Sequence, residues 1–193
     1  LHEFEEYLVS TAIKDHETIN LLTGQSTDMC INISAATLLN PGLLSFLHKM
    51  KLENNFKEKS ICLEITEQMS LLINEKVEDT FNNINKLGYR LAVDDFSMGS
   101  TSLKYLQNGN FDLVKIDGEL VKGMLINPRC IDIIKSVIHL SSTLNFSVLA
   151  EYVETKSQQK DLEKIGCYLY QGYLFSPAVP LVKYIEIVKA KHG

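Results

Sequence analysis

Three features of the 193-residue sequence predict an α/β fold built on a parallel sheet. Short apolar segments alternate with amphipathic helical segments along the chain. Six of the apolar segments begin near residues 29, 60, 91, 113, 147 and 167, which leaves room for a helical crossover after each strand. Polar residues lie at or near the ends of these segments: Asn32, Glu64, Asp94, Asp95, Lys115, Glu151 and Gln171.

The strand endings favour a (β/α)8 TIM-like barrel over an open doubly wound sheet. In a barrel the carboxyl ends of all strands meet at one mouth, where the active sites of this architecture lie. An open sheet would gather only the residues near its switch point, and no glycine-rich phosphate loop supports one. Barrel closure needs eight strands, so we expect the first two strands to be missing from this chain, upstream of Leu1.

The first part of the chain contains two strands and three helices. Residues 1–22 form an amphipathic helix that Gly24 ends, and residues 29–34 form the first strand. A second helix is expected to begin at Asn40-Pro41, with the asparagine as N-cap and proline at the first helical position. Residues 60–67 form the second strand. Asn74 can cap the following helix, which Gly88 ends.

The second part continues the alternation with four strands. Residues 90–95 form the third strand, followed by a short helix through Leu103 and Leu106, and residues 111–117 form the fourth. Asn127-Pro128 repeats the cap and proline of a helix start. The remaining segments are a strand at 147–154, a helix from Thr155 to Gly166, a strand at 167–173 and a last helix after Pro180.

Composition limits the classes of function. The length suits one domain covering residues 1–193. A net charge of −5 argues against binding duplex nucleic acid through its phosphates. No apolar run is long enough to span a membrane, and no signal peptide is visible. The four cysteines lack metal-binding spacing and lie mostly in strands, which favours reduced thiols and a cytoplasmic location.

The pair Asp94-Asp95 is the strongest chemical signal in the sequence. Two adjacent carboxylates at the end of a buried strand repel each other, and a divalent cation is the simplest compensation. The alternative is that one aspartate caps the next helix while the other faces water. Oxygen ligands of this kind indicate a hard cation rather than zinc.

The other strand-end residues also have simpler interpretations. Asn32 could be a hydrogen-bonded strand amide, and Glu64 or Glu151 could form a buried ion pair with Lys115. Lys115 could form a Schiff base, although surrounding carboxylates would not lower its pKa. Glu67 and Glu154 could be solvated or cap helices. Tyr168, Tyr170 and Tyr173 are interpreted as residues of the core and rim, with platforms for base stacking as the alternative.

Six segments in order resemble the EAL domain, the bacterial phosphodiesterase that linearises cyclic di-GMP. They are Asn-Ile-Ser at 32–34, Leu-Glu-Ile-Thr-Glu at 63–67, Asp-Asp-Phe-Ser-Met-Gly at 94–99, Lys-Ile-Asp at 115–117, Ala-Glu-Tyr-Val-Glu-Thr at 150–155 and Gln-Gly-Tyr-Leu-Phe at 171–175. The Glu-Ala-Leu segment that names the family is not in the chain and is expected upstream. Tyr152 replaces the family's glycine, and Ser97, Met98 and Ser100 alter the loop after the aspartates.

The resemblance implies hydrolysis of cyclic di-GMP to linear pGpG with two Mg²⁺ or Mn²⁺ ions. Asn32, Glu64 and Asp94 would bind the first ion; Asp94, Asp95 and Glu151 would bind the second. Lys115 would position water or neutralise phosphate, Gln171 would orient the nucleophile, and Glu67 and Glu154 would support the ligands. A homodimer and a sensor domain outside this chain are also expected. The alternative is an inactive EAL module that senses cyclic di-GMP or binds a protein.

Overall fold

The computed structural model describes residues 2–66, 74–97 and 111–192, and these residues form two compact units. Of the described residues, unit 1 contains 2–64, 74–90 and 178–192, and unit 2 contains 65–66, 91–97 and 111–177. The strands predicted from the sequence recur in both units, where parallel strands alternate with helices, so the predicted α/β class is confirmed. The two strands expected before Leu1 and the single domain over residues 1–193 stay predictions.

Unit 1 holds a parallel strand pair and helices around it. Its elements are α1 (His2–Thr23), β1 (Met29–Asn32), α2 (Ala35–Leu38), α3 (Leu43–Glu53), β2 (Ile61–Thr66, whose last two residues are assigned to unit 2), α4 (Glu75–Lys86) and α8 (Leu181–His192). The register of β1 and β2 runs from Met29 opposite Ile61 to Asn32 opposite Glu64. Fully buried side chains from the helices and from β2, among them Ile13, Leu47 and Leu63, form the core of this unit.

Unit 2 is a four-stranded parallel sheet with its strands in chain order. Its elements are β3 (Arg90–Phe96, of which Arg90 is assigned to unit 1), β4 (Leu113–Ile116), α5 (Gly118–Gly123), α6 (Pro128–Leu144), β5 (Ser147–Ala150), α7 (Lys156–Lys164) and β6 (Leu169–Tyr170). Ala92 and Val93, which are neighbours in β3, are both fully buried, as are Val114 and Ile116 of β4, and this is expected for strands covered on both faces. Ile134 of α6 packs its fully buried side chain in the same core.

Local sequence signals explain most helix boundaries. The side chain of Asn74 accepts a hydrogen bond from Val77 N at the start of α4, and Gly88 follows this helix with a φ of +88°. Asn127 caps α6 with Pro128 at its first turn. Thr155 and Gln158 form a capping box at the start of α7. These predicted starts and ends are confirmed.

One predicted helix start is wrong. Asn40 is not the N-cap of α3: its Oδ1 accepts a hydrogen bond from Gly42 N in a turn that precedes the helix, and the helix begins at Leu43 with Gly42 as its N-cap. The Pro41 ring therefore lies in the turn. The short helices α2 and α5 were not expected from the sequence, since each is too brief to show a helical period. The helix predicted through Leu103 and Leu106 lies outside the described residues.

Within the described ranges, no helix combines the length and the apolar character needed to cross a membrane.

Candidate metal centre

A β-bulge places both aspartates at the end of β3. Val93 pairs with Val114 and Phe96 pairs with Ile116, so Asp94 and Asp95 together lie opposite the single residue Lys115. In a regular strand, neighbouring side chains point to opposite faces of the sheet. Asp95 instead adopts a left-handed φ of +56°, a conformation that aspartate tolerates better than most residues. The bulge therefore allows two adjacent carboxylates to lie at the same site.

Lys115 links the carboxylates on its two neighbouring strands. Its Nζ lies 2.9 Å from Asp94 Oδ1 and 2.9 Å from Glu151 Oε1. The Lys115 and Glu151 side chains are 4% and 8% exposed, so little water screens these contacts. The buried ion pair between Lys115 and Glu151, left open as an alternative by the sequence, is therefore present.

The three carboxylates of unit 2 form a cluster that can hold a cation. Asp94, Asp95 and Glu151 each offer an oxygen, and these oxygens lie within 4.8 Å of one another. Asp95 is exposed while Glu151 is buried, so the cluster spans from the interior to the surface. Lys115 Nζ is within ion-pair distance of Asp94 and Glu151. The three carboxylate donors fit a hard divalent ion.

Burial perturbs the carboxyl group at the inner side of this cluster. The pKa of Glu151 is raised above 4.5, first because burial disfavours the charged form and also because Asp94 and Asp95 repel it. The hydrogen bond and positive charge of Lys115 act in the opposite direction but do not cancel these effects. Glu151 is thus a group whose ionisation a nearby cation would favour.

Main-chain hydrogen bonds fix the segment that carries Glu151. Glu151 N donates to Ile116 O at 3.2 Å, and Gln171 N donates to Ala150 O at 2.9 Å. Val153 N donates to Gln171 O at 3.0 Å. These bonds tie the ends of β5 and β6 together, so the residues that follow both strands lie beside the carboxylates.

Two glycines let other chain segments approach residues 151–153 closely. A Cβ on Gly172 would lie 2.3 Å from Val153 O and 2.4 Å from Val153 N, so only glycine fits there without backbone movement. A Cβ on Gly118 would lie 2.1 Å from Cδ2 of Tyr152. Tyr152 itself has a left-handed φ of +52°. The two glycines therefore hold a strained backbone segment next to the carboxylate cluster.

An open pocket of about 470 Å³ surrounds the cluster within unit 2. It is lined by Asp94, Asp95, Glu151, Tyr152, Glu154, Gln171, Gly172 and Tyr173. The residues that the sequence predicted at four separate strand ends, 94–95, 115, 151 and 171, are therefore brought to one place. Glu154 lines the pocket as well, and its backbone N–H donates to Gln158 Oε1 at 2.9 Å.

The remaining predicted ligands lie elsewhere in the chain. Asn32 and Glu64 belong to unit 1, where they are register partners at the ends of β1 and β2; Asn32 is exposed and Glu64 is 3% exposed. Glu67 lies outside the described residues. Their predicted roles at the metal centre stay predictions.

Sequence reasoning did not assign a pocket role to Tyr152 or Gly172. For Gly172 the signal was its position directly after Gln171, a polar residue that ends a strand. Tyr152 carried a signal of another kind, because it stands between two glutamates in a strand ending where the resembling family has glycine. Tyr173, assigned to core or rim, is 73% exposed at the rim.

The fold and the pocket define an α/β protein with carboxylates gathered at the carboxyl ends of parallel strands. The family model described as "EAL domain" matches residues 1–178, and the chain belongs to this family.

Several curated proteins are similar to the chain. It is 32% identical over 151 residues to the probable cyclic di-GMP phosphodiesterase PdeA of Escherichia coli, matching 78% of this chain and 21% of that protein. It is 32% identical over 181 residues to the cyclic di-GMP phosphodiesterase PdeA of Borreliella burgdorferi, matching 93% of this chain and 27% of that protein. The chain thus spans about a fifth to a quarter of the length of these relatives.

Solved structures agree with this assignment. The EAL enzyme Bd1971 in its cAMP- and cyclic-di-GMP-bound form superposes with a TM-score of 0.92 at 28% identity, covering 97% of this chain and 52% of that one. The EAL domain of Mycobacterium smegmatis DcpA superposes with a TM-score of 0.88 at 28% identity, covering 96% of this chain and 83% of that one. The predicted TIM-barrel-like EAL fold class is confirmed by these neighbours.

Proposed function

We propose that the chain is the catalytic part of a cyclic di-GMP phosphodiesterase that releases linear pGpG. The observation that carries this proposal is the cluster of Asp94, Asp95 and Glu151 around Lys115, within a pocket open to solvent. Relatives named as cyclic di-GMP phosphodiesterases and a neighbour solved with cyclic di-GMP support the choice of substrate.

The proposed metal ligands are five side chains that offer oxygen atoms. Asp94, Asp95 and Glu151 would hold one Mg²⁺ or Mn²⁺ ion, and Asp94 with Asn32 and Glu64 would hold another. When bound, the two ions would activate water and neutralise charge that develops on the phosphate oxygens. The three oxygens within 4.8 Å and the raised pKa of Glu151 support the first part of this set.

The protein's other polar groups would position the reactants. Lys115 would keep Asp94 and Glu151 in place and offer its ammonium to a phosphate oxygen. Gln171, which lines the pocket beside Glu151, would orient the attacking water through its side-chain amide. Glu154 and Glu67 would orient the groups that bind the ions.

The second candidate is a receptor that binds cyclic di-GMP, or a protein partner, without hydrolysis. One observation favours it: Lys115 already lies 2.9 Å from oxygens of both Asp94 and Glu151 and would compete with a cation for them. Substrate binding without turnover distinguishes this candidate from the enzyme.

We also propose that the intact protein is cytoplasmic, forms a homodimer and carries a sensor domain outside this chain. The far greater length of the curated relatives supports the presence of further domains.

The experiment that tests the proposal incubates the intact protein with cyclic di-GMP and Mg²⁺ and separates the products by chromatography. We expect pGpG from the wild type and none from Asp94→Asn. The matched control is Asp132→Asn, which removes an aspartate whose side chain is 75% exposed on α6, and it should retain activity. Substrate binding with no pGpG would contradict the enzyme and support the receptor.

A further inference from the structure

Tyr152 is an exposed aromatic residue held in an unfavourable backbone conformation at the edge of the acidic pocket. It is 52% exposed and lines the pocket beside Glu151. Its φ of +52° is rarely adopted by a bulky residue, whereas glycine adopts it freely. Such outliers persist where surrounding structure over-determines them, and they concentrate at binding sites.

Two residues of α5 hold the Tyr152 ring. A Cβ on Gly118 would overlap Cδ2, Cγ and Cβ of Tyr152, at 2.1, 2.5 and 2.9 Å, so the ring is seated on the Gly118 backbone. Lys122 Nζ lies 4.3 Å from the ring centroid, in a cation–π contact. The ring therefore packs against α5 at the side of the pocket, and half of the residue remains accessible to solvent.

The described residues that line the pocket are four acidic residues, a glutamine, a glycine and two tyrosines. Among them, the tyrosine rings are the flat surfaces on which a nucleobase could stack. A flat π-system binds a base of any identity through stacking, and ordering the ring beforehand reduces the entropy lost on binding. Of the two tyrosines, Tyr173 is 73% exposed, while Tyr152 is the one held against the backbone and a cation.

We propose that Tyr152 is a substrate-contacting residue whose ring stacks on a guanine base of the dinucleotide, and that Gly118 and Lys122 are positioning residues for that ring. This inference rests on the proposed function. It assigns a base-binding role to a side chain that this sequence has and that the resembling family pattern lacks.

The first test compares KM and kcat of intact variants for cyclic di-GMP. Tyr152→Gly keeps the left-handed backbone accessible and removes only the ring, so we expect KM to rise roughly ten-fold with kcat changed less than about three-fold. Tyr152→Phe keeps the ring and should match the wild type. An unchanged KM in Tyr152→Gly would overturn the inference while leaving the proposed function intact.

The second test asks whether Gly118 acts through the ring. Gly118→Ala should displace Tyr152 and raise KM as Tyr152→Gly does, and the double variant should show no further rise. Additive effects would contradict the positioning role. Lys122→Gln should raise KM about two- to three-fold. The control Lys135→Gln, at a lysine of α6 whose side chain is 55% exposed, should not raise it.

A third test reports the contact directly. These 193 residues contain no tryptophan, so Tyr152→Trp adds an indole reporter to this part of the protein, and its signal is the difference in emission between the variant and the wild type. We expect cyclic di-GMP to quench its emission in stopped-flow records before hydrolysis, whereas unaltered emission on binding would overturn the inference. If the wild type binds cyclic di-GMP without hydrolysing it, the dissociation constants of the variants are compared in place of their KM values. If the wild type neither binds nor hydrolyses cyclic di-GMP, both the proposed function and this inference are wrong.

Discussion

Lys115 Nζ and Glu151 Oε1 lie 2.9 Å apart, and both side chains are more than nine-tenths buried. Lys115 lies in β4 and Glu151 directly follows β5, and the same ammonium group also lies 2.9 Å from Oδ1 of Asp94 in β3. The Lys115 ammonium group thus contacts carboxylates from the strands on both sides of β4. The chemistry proposed for the site depends on the same carboxylates, which would also bind the metal ions.

The raised pKa of Glu151 predicts a specific dependence of stability on pH. The folded, metal-free protein binds the Glu151 proton more tightly than the unfolded chain does. The contribution of this group to stability is therefore fully present below pH 4.5 and is lost as pH rises through the folded pKa. As pH rises through that pKa, the wild type should lose stability that Glu151→Gln keeps. The free energy of unfolding of Glu151→Gln minus that of the wild type, measured by urea unfolding in EDTA, should therefore increase.

The control for this pH series is Glu186→Gln, at a side chain that is 60% exposed on α8. The stability difference between Glu151→Gln and the wild type should change more with pH than the difference between Glu186→Gln and the wild type. Parallel wild-type and Glu151→Gln curves would contradict a raised Glu151 pKa. Because a bound cation competes with the Glu151 proton, Mn²⁺ affinity of the wild type should also increase over the same rise in pH.

The bulge at Asp95 predicts that two substitutions at one position will have separate effects. Asparagine tolerates a φ of +56°, so Asp95→Asn should fold normally but bind Mn²⁺ more weakly because it loses a carboxylate. Asp95→Val places a β-branched residue in that conformation and should also lower the free energy of unfolding by about 1–3 kcal/mol. Urea unfolding and Mn²⁺ titration measure the two effects; equal stability of the variants would show that the bulge does not require this conformation.

The contact between Gly172 and Val153 predicts that a single methyl group disrupts the pocket. Gly172→Ala would place Cβ 2.3 Å from Val153 O, and the backbone must move to relieve the overlap. We expect a loss of about 1–3 kcal/mol in unfolding free energy together with reduced turnover. At the control Gly42→Ala, the nearest atom to the new Cβ is side-chain Oδ1 of Asn40 at 3.3 Å, so the change should be much smaller. Similar losses in both variants would contradict the close approach.

A buried hydroxyl in unit 1 gives a stability prediction independent of the metal centre. Tyr89 is fully buried, and its Oη–H donates to Leu47 O at 2.9 Å; burial also raises its pKa. Tyr89→Phe should cost about 1–1.5 kcal/mol because the buried carbonyl loses its donor. Tyr168→Phe, at a residue that is 70% exposed, is the control and should be nearly neutral in the same denaturation assay. A neutral Tyr89→Phe would show that this bond contributes nothing net.

Much of the fold could be predicted from local patterns because strands and helices of this chain carry strong local signals. Asn74, Asn127 and Thr155 begin helices as their cap chemistry predicts. The helix start predicted at Asn40 was wrong, because an asparagine followed by Pro-Gly can also form a separate turn in which its side chain accepts a hydrogen bond. Sequence alone does not show whether an asparagine followed by proline begins a helix or forms a separate turn.

The candidate site was predictable in composition but not in geometry. The residues at strand ends pointed to a carboxylate cluster, and Asp94, Lys115 and Glu151 do meet. The bulge that directs Asp94 and Asp95 to one place depends on pairing with Lys115 across strands, which no local pattern reveals. The seating of Tyr152 on Gly118 likewise joins residues far apart in the chain.

The central claim is that the strand-end carboxylates, with Asn32 and Glu64, hold a pair of divalent cations. Crystals of the intact protein grown with Mn²⁺ and cyclic di-GMP, measured for anomalous scattering, test it most directly. We predict two Mn²⁺ peaks, one coordinated by Asp94, Asp95 and Glu151 and one by Asp94, Asn32 and Glu64. A map with no peak at Asp94, or with Asn32 and Glu64 remote from every peak, would contradict the account.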